Sequence, residues 1–457
     1  MGSITIMKPG VEELTSFLAD HPDVEYVDAI LFDLCGIVRG KRYPRQDAKG
    51  LFTNGMQIPY SVFLLDVTGD CPDAGGRGFS DGDPDGIAVP VAGTLKRVPW
   101  ARVPSAQVLL TMTDQDGTAS SLDPRNVLRA VESRLIEDGL HPVTALELEF
   151  YLIDRQRMTD GSPQFPIAPD TGQRDKNTQV YGMWEIESYA AVLRDIETAC
   201  NVQGVPCYTA SSEYAPGQFE VNLRHVTSGV SAADHASLLK RVVMGVAERH
   251  GFEATFMSKP FSKMSGNGLH IHLSLCDETG RNLFDDGGDG GTDMLRWAIG
   301  GMQATMAEAM AIFAPNANAY RRFQPNLYVP TGPTWGINNR SVAFRVPSGE
   351  GAARRVEHRI CGADANPYLA LAAVMVGAHH GITNRIDPGP AHTGNAGKEM
   401  DESVPWTWRS ALQRLDEAKI LPGYISREYL SLYHDTKWAE MEKFQSLIAP
   451  HEYNWYL

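Results

Sequence analysis

The chain is short of the residues that would make it a disulfide scaffold, a nucleic-acid binder or a membrane protein. Of its 457 residues six are cysteines (Cys35, Cys71, Cys200, Cys207, Cys276 and Cys361), and none forms a CxxC pair or a zinc-finger spacing. Free thiols in a reducing cytoplasm are the expectation. Basic residues are outnumbered, 41 Lys plus Arg against 56 Asp plus Glu, for a formal net charge of -15. Because phosphate backbones and anionic membrane surfaces are held largely by Lys and Arg, neither nucleic acid nor membrane is expected as a partner. No apolar run is long enough to span a bilayer. The longest follows Pro367, ends before His379 and His380, and reads as a buried helix capped by Asn366. Met1 to Glu13 lacks the basic start and apolar run of a signal peptide, so secretion is not expected. Repeats and low-complexity tails are missing too. With 43% hydrophobic residues, the chain can still build a sizeable core in one large or two ordinary domains.

Residues 24 to 43 alternate around Gly36 as in a hairpin, and the Gly/Asp/Pro-rich stretch from Gly69 to Gly86 reads as a surface loop. After short apolar segments up to Thr113, Asp123 can cap and Pro124 can start a helix that closes at Gly139. A domain boundary is expected just ahead of that helix, with domains at 1–118 and 119–457. Further helices are expected after Thr227 to Gly251, from Thr292 to Phe313 before Pro315, and after Asn366. The acidic, Gly-rich loop from Asp285 to Gly291 lacks the EF-hand register and reads as a flexible turn rather than a calcium loop.

The strongest chemical signal is Val143-Thr-Ala-Leu-Glu147-Leu-Glu149-Phe-Tyr-Leu. Side chains alternate along a strand, so Glu147 and Glu149 share one face while Leu146, Leu148 and Phe150 share the other. Neighbouring carboxylates repel, and a cation between them relieves the repulsion; a solvated strand face is the alternative. Three more segments repeat the pattern. Glu220 lies opposite an apolar face, with Glu213 across a Pro216-Gly217 turn; His270, His272 and Ser274 share a face; Arg355, Glu357 and Arg359 share another. Glu147, Glu149, Glu213, Glu220 and Glu357 with His270 make a mostly oxygen donor set that suits magnesium or manganese more than zinc. Arg321, Arg322, Arg340, Arg345, Arg354, Arg355 and Arg359 fall close together, and guanidinium forks suit a metal-bound phosphate. A Walker cradle is excluded, since Gly36 to Arg42 has three residues between its glycines and no Ser or Thr after Lys41.

On the segments ALELEFYL, SSEYAPGQFEVNL, SGNGLHIHLSL, NAYRRFQP, NNRSVAFRVP, ARRVEHRICGADANPYLALAA and FDLCGIVRGK, the sequence resembles the glutamine synthetase family over nearly its whole length. The resemblance implies an α+β fold with a small β-grasp N-terminal domain and a larger catalytic domain on a curved antiparallel sheet. It also implies a homododecamer of two hexameric rings with sites between neighbouring subunits. By the same resemblance Glu149, Glu213 and Glu220 would hold one cation and Glu147, His270 and Glu357 another, two or three Mg2+ or Mn2+ per site. Gly266, Arg322 and Arg359 would bind glutamate, Arg340, Arg345 and Arg355 would face the transferred phosphoryl group of ATP, and His272 and Ser274 would lie by the nucleotide.

Two departures shift the implied substrate. The family's Asp-Gly-Ser-Ser loop, whose Asp helps bind ammonium, corresponds here to Asn54-Gly-Met-Gln-Ile-Pro-Tyr-Ser-Val-Phe63, and its flap Glu, six residues after Arg322, corresponds to Tyr328. The family's Asn-Leu-Tyr adenylylation segment after the arginine cluster is absent there as well, so regulation by that route is not expected. An ammonium ion needs an anionic pocket, whereas an organic amine brings apolar surface worth roughly 0.8 kcal/mol per buried methylene. The expected activity is therefore an ATP-dependent glutamate–amine ligase, resembling the γ-glutamylpolyamine and γ-glutamylmonoamine synthetases and proceeding through a γ-glutamyl phosphate. The alternatives are glutamine synthesis, with Asp66, Glu185 or Tyr181 filling the missing roles, and a non-catalytic ring. A polyamine would need an acid for its distal charge, for which Asp66, Glu185 and Glu187 are candidates.

Overall fold

The computed structural model describes residues 10–177, 179–288, 290–349 and 351–457. Met1 to Pro9, most of the stretch read for a signal peptide, and Asp289 of the Gly-rich acidic loop lie outside the described residues. Two sheets organise the chain. The first holds β1 (Tyr26–Phe32), β2 (Val38–Pro44), β3 (Met56–Pro59), β4 (Asp85–Pro90), β5 (Lys96–Arg97) and β6 (Ser105–Thr113), in the order β2-β1-β6-β4-β3 with β5 on β6. The hairpin around Gly36 is β1 and β2. Beside it β6 runs parallel to β1, and every residue of β6 is buried. Its residues alternate, Ala106, Val108, Leu110 and Met112 on one face and Ser105, Gln107, Thr111 and Thr113 on the other, yet both faces are covered.

The second sheet is mostly antiparallel and carries β7 (His141–Asp154), β8 (Cys207–Ser212), β9 (Gln218–Leu223), β10 (Phe252–Thr255), β11 (Leu269–Cys276), β12 (Trp335–Ile337), β13 (Phe344–Val346) and β14 (Val356–His358). Its order is β12-β13-β14-β11-β7-β9-β8, with β10 also on β7 and one parallel pair, β12 with β13. Along β7, Leu146, Leu148 and Phe150 are fully buried on one face, where Phe150 meets Phe219 and Phe256.

The expected helices form at Pro124–Glu137, Gly229–Arg249, Asp293–Phe313 and Pro367–Asn384, with Asp123, Ser228, Thr292 and Asn366 accepting from backbone amides as caps. A buried ion pair joins three of them: Arg125 grips Asp234 through two 2.8 Å hydrogen bonds, and Tyr368 donates to the same carboxylate. No helix among the described residues is long and apolar enough to cross a membrane; the run after Pro367 is a core helix with 14 of its residues buried. Asn366 also donates to the carbonyls of Asp33 and Leu34, tying the first hairpin to this helix.

The two most apolar helices, Asp293–Phe313 and Pro367–Asn384, touch backbone to backbone. A Cβ on Gly301 would stand 2.0 Å from the Gly377 carbonyl oxygen, and one on Gly381 would stand 2.0 Å from the carbonyl of Trp297. By contrast, Gly50 in the exposed helix Ala48–Asn54 has nothing within 4 Å of that position. Gly301→Ala is expected to destabilise by about 1–3 kcal/mol as the helices are forced apart, while Gly50→Ala stabilises by roughly 0.5–1 kcal/mol through helix propensity. Thermal unfolding of the two variants measures the opposite signs; a gain from Gly301→Ala would contradict the close approach.

Candidate active site

Register places the ionic side chains. Across neighbouring strands Glu149 lies opposite Glu220, Glu147 opposite His270, and His272 and Arg345 both opposite Glu357. One face of four adjacent strands therefore carries carboxylates and imidazoles while the other packs against helices. Glu213 precedes β9 and is itself buried, in a turn closed by its amide on the Gln218 carbonyl at 2.9 Å.

Glu147 is the hub. His270 Nδ1 stands 3.3 Å from its Oε2, 3.8 Å from Glu357 Oε1 and 4.0 Å from Glu220 Oε2, and His272 Nε2 stands 2.8 Å from Glu147 Oε1. Arg355 Nε donates to His272 Nδ1 at 3.0 Å. A guanidinium only donates, so for a neutral ring this assigns the His272 proton to Nε2, facing Glu147. The ligand atoms that lie within 4.8 Å of one another fall into two groups, Glu147/Glu220/His270 and Glu147/His272/Glu357. The resemblance divides the ligands as Glu149/Glu213/Glu220 and Glu147/His270/Glu357; here Glu149 Oε2 accepts from the Gly268 amide at 2.6 Å and His272 also faces Glu147.

Electrostatics separate the acids into two kinds. Burial works against the charge of Glu357, yet Arg359, His272 and His270 hold its carboxyl down at about 2; Arg345 Nη1 donates to it at 2.8 Å, and Arg359 Nη1 also hydrogen-bonds it. Glu147 is likewise held well below the usual carboxylate range, the two histidines overcoming burial. On the other side of the site, burial pushes Glu213 up to about 9, with Glu149 and Glu220 next in effect, and pushes Glu220 up to about 7, with Glu147 and Glu149 next. Three carboxylates and two imidazoles converge in the two groups, with Glu149 and Glu213 adjoining, a mostly oxygen donor set that fits a magnesium- or manganese-like cation.

The arginines around this face offer vacant donors. Arg322, 3% exposed, gives Nη1 to the Ile360 carbonyl at 3.1 Å, while the buried Nε atoms of Arg322, Arg345 and Arg359 have no hydrogen-bond partner among the described residues. Gly266 lies against Arg322: a Cβ there would come within 2.7 Å of Arg322 Cγ and 2.6 Å of the Ser258 carbonyl. Exposed Arg340 donates to the Tyr181 hydroxyl at 3.0 Å. Ser274, two residues along β11 from His272, donates to the Arg354 carbonyl at 2.7 Å. Tyr328 is 60% exposed, its ring 6.0 Å from that of Tyr214.

Three of the secondary candidates fall in neither of the two ligand groups. Asp66 is buried against Thr68 and Lys443, Glu185 accepts from the Gln179 amide, and Glu187 is exposed on the helix Met183–Ser188. Sequence reasoning missed Tyr214, Asn222, which donates to Glu220 at 3.1 Å, and His225, whose ring lies edge-on to His272 and is pulled down to about 4 by burial first and then His272 and Arg355. Asn222 sat two residues from Glu220 on the same face and was legible; the other two required the fold.

The comparisons agree in direction. The family described as glutamine synthetase, catalytic domain, matches residues 121–456. The gamma-glutamylputrescine synthetase of Escherichia coli strain K12 is 41% identical over 98% of this chain and 94% of its own. The gamma-glutamylethanolamide synthetase of Streptomyces coelicolor is 30% identical over 97% and 94%, and the glutamine synthetase of Thermotoga maritima 29% over 80% and 84%. Among solved structures, a GmaS/ADP complex superposes with a TM-score of 0.82 at 26% identity, covering 96% of this chain and 98% of that one.

At pH 7 Glu213 and part of Glu220 carry protons that a cation must displace. Mg2+ or Mn2+ binding is expected to release protons and to tighten as pH rises toward 9. In the metal-free protein the raised carboxyls contribute stability at low pH, which is lost as pH rises through about 7 and then 9. Calorimetry in buffers of different ionisation enthalpy checks the first point, and cation affinity unchanged between pH 6 and 9 would contradict it.

Proposed function

The chain belongs to the glutamine synthetase family, and we propose that it is a ligase joining the side-chain carboxylate of L-glutamate to an organic amine at the expense of ATP. Members of the family use ATP and a divalent metal. The observation that carries the amine is the rim of the site: Tyr328 stands where the family has its flap carboxylate, and it is uncharged, aromatic and 60% exposed. An ammonium ion gains little from such a rim, while an alkyl group gains contact with it.

Glu149, Glu213 and Glu220 would hold one cation and Glu147, His270 and Glu357 another, two or three Mg2+ or Mn2+ in all. When bound, these cations neutralise phosphate oxygens as charge moves onto them. Arg322 and Arg359, beside Gly266, orient glutamate through their unpartnered buried N–H groups. Arg340, Arg345 and Arg355 face the phosphoryl group and stabilise its oxygens during transfer to the glutamate carboxylate, and His272 and Ser274 line the nucleotide side. The γ-glutamyl phosphate then loses phosphate to the amine nitrogen. Arg359 meanwhile balances Glu357, so one guanidinium serves both glutamate and the carboxylate set.

Division into a β-grasp unit at 1–118 and a catalytic unit at 119–457 is supported by the two separate sheets. A dodecamer of two hexameric rings follows from family likeness, and a cytoplasmic location from six free thiols. Glutamine synthesis is the second reading, supported by relatives such as the Thermotoga maritima enzyme. A non-catalytic ring is the third, and it has no use for vacant arginine donors around converging carboxylates.

A panel of ammonium, methylamine, isopropylamine, ethanolamine, putrescine and spermine, scored by ATP- and glutamate-dependent phosphate release, is expected to rank an organic amine well above ammonium. Equal or better use of ammonium would replace the reading with glutamine synthesis. Tyr328→Glu is expected to move the preference toward ammonium. Within the arginine set, Arg359→Ala should raise KM for glutamate by loss of a charge-assisted contact worth about 1.5–3 kcal/mol. Arg340→Ala should chiefly lower kcat, because its partner charge develops during transfer. A glutamate KM unmoved by Arg359→Ala would remove that residue from the glutamate site.

A further inference from the structure

Tyr214 has no part in the chemistry described so far, yet it occupies a telling place. It directly follows Glu213, in the turn closed by the Glu213 amide on the Gln218 carbonyl and the Gln218 amide on the Ala215 carbonyl, at 2.9 and 3.0 Å. Its backbone is fixed by that turn while its ring is 53% exposed. From a separate loop, Tyr328 brings a second ring, 60% exposed, to a centroid separation of 6.0 Å at an interplanar angle of 31°. Neither ring belongs to the hydrophobic core. A third aromatic, Tyr181, donates its backbone amide to the Ser212 carbonyl and accepts from Arg340 at its hydroxyl oxygen. It too is more than half exposed, and it adopts a left-handed φ of 59°.

Three tyrosines from three segments thus stand at the edge of the carboxylate face. Two of them, Tyr181 through Arg340 and Tyr214 through Glu213, are anchored to groups of that face. Exposed aromatic surface gathered beside a polar site is unfavourable in water unless something apolar covers it. Beyond Tyr328 the adjoining cavity sets Leu327, Ile337 and Ala391 among Arg340 and polar Asn, Ser, Thr and His side chains, with no Asp or Glu among its described lining residues. This rim can therefore recognise carbon and the faces of an ammonium group, but it offers no carboxylate to a bare cation.

Resting on the ligase reading above, we propose that Tyr214 is a specificity-determining residue. With Tyr328 it forms a two-ring clamp that holds the carbon chain of the incoming amine while the reacting nitrogen points toward the site. The ring faces attract the ammonium form before deprotonation, and the chain contributes by removing methylenes from water. Ammonium has no chain and gains only the first of these. The clamp reads the methylenes next to the nitrogen and is indifferent to the far end of the molecule, so a monoamine and a diamine of equal chain length feel it alike.

The test compares wild type, Tyr214→Ala, Tyr328→Ala, Tyr214→Phe and the Tyr214→Ala/Tyr328→Ala double variant with ammonium, butylamine and putrescine, measured by amine- and glutamate-dependent phosphate release. For Tyr214→Ala, kcat/KM for butylamine and putrescine is expected to fall together by roughly tenfold or more, mostly in KM, as chain contact with one ring face is lost. KM for glutamate and the unfolding temperature should stay near wild type, kcat/KM for ammonium should fall by much less than that for the alkylamines, and Tyr214→Phe should retain the alkylamine preference because it keeps the ring. The double variant should lose less than the product of the two single losses, because each ring needs the other to grip the chain. If wild type uses alkylamines but Tyr214→Ala leaves the ratio of alkylamine to ammonium unchanged, the clamp is wrong and the ligase reading stands. A wild type that prefers ammonium overturns both. A variant that loses all substrates equally, or unfolds early, assigns Tyr214 to structure and overturns the clamp.

Discussion

Crowded negative charge on one sheet face is the constraint around which the structure is arranged. Glu147, Glu149, Glu220 and Glu357 occupy neighbouring positions on β7, β9 and β14, with Glu213 at the adjoining turn. Coulomb repulsion between such groups grows as water is excluded, so a fold that brings them together must neutralise some and protonate others. Both devices are visible. Arginines and histidines hold Glu357 and Glu147 ionised, while burial first, and then their carboxylate neighbours, make Glu213 and Glu220 resist ionisation. The site is polarised from within: one half is charge-balanced by protein, and the other awaits charge from outside.

The rest of the architecture keeps that arrangement rigid. A face of ionic side chains is tolerable on a sheet whose opposite face is packed without gaps, and here the opposite face carries Leu146, Leu148, Phe150, Phe219 and Val221, all buried. Behind it the helices are locked by the Arg125–Asp234 pair and by the glycine contacts of Gly301 and Gly381. Breaking a buried pair such as Arg125–Asp234 leaves an uncompensated charge, a penalty far larger than the pair's own net contribution. Stiffness matters because an electrostatic site is effective in proportion to how little its dipoles must reorganise during reaction.

What the sequence disclosed follows from how far each signal reaches. The alternation in Leu146 to Phe150 is a local, period-2 pattern, so the shared face of Glu147 and Glu149 was legible, as were the helix starts at Asp123, Thr292 and Asn366, where cap chemistry is written within three residues. The parallel pairing of β1 with β6 was not legible from pattern, since alternation within a strand does not say which strand lies beside it or in which direction. The pairing of Tyr214 with Tyr328 was hidden for another reason: each is unremarkable alone, and only tertiary folding makes them neighbours. The same holds for His272, placed by the nucleotide from family likeness but also brought within 2.8 Å of Glu147 by the register of β11 on β7.

Arg359 shows how closely these layers are joined. It hydrogen-bonds the Glu357 carboxylate, lowers that group's affinity for a proton, opposes protonation of His270, and still keeps a buried Nε with no partner. A lysine at this position could neutralise Glu357, but its single ammonium has no planar fork with which to serve a second anion in a fixed direction. An arginine therefore couples the carboxylate set to whatever anion takes the vacant donor. When that anion arrives, part of the guanidinium's positive charge is shared away from Glu357, and Glu357 then has more to gain from a cation on its other side. Anion and cation binding are expected to favour each other through this one side chain, without any movement of the sheet that carries it.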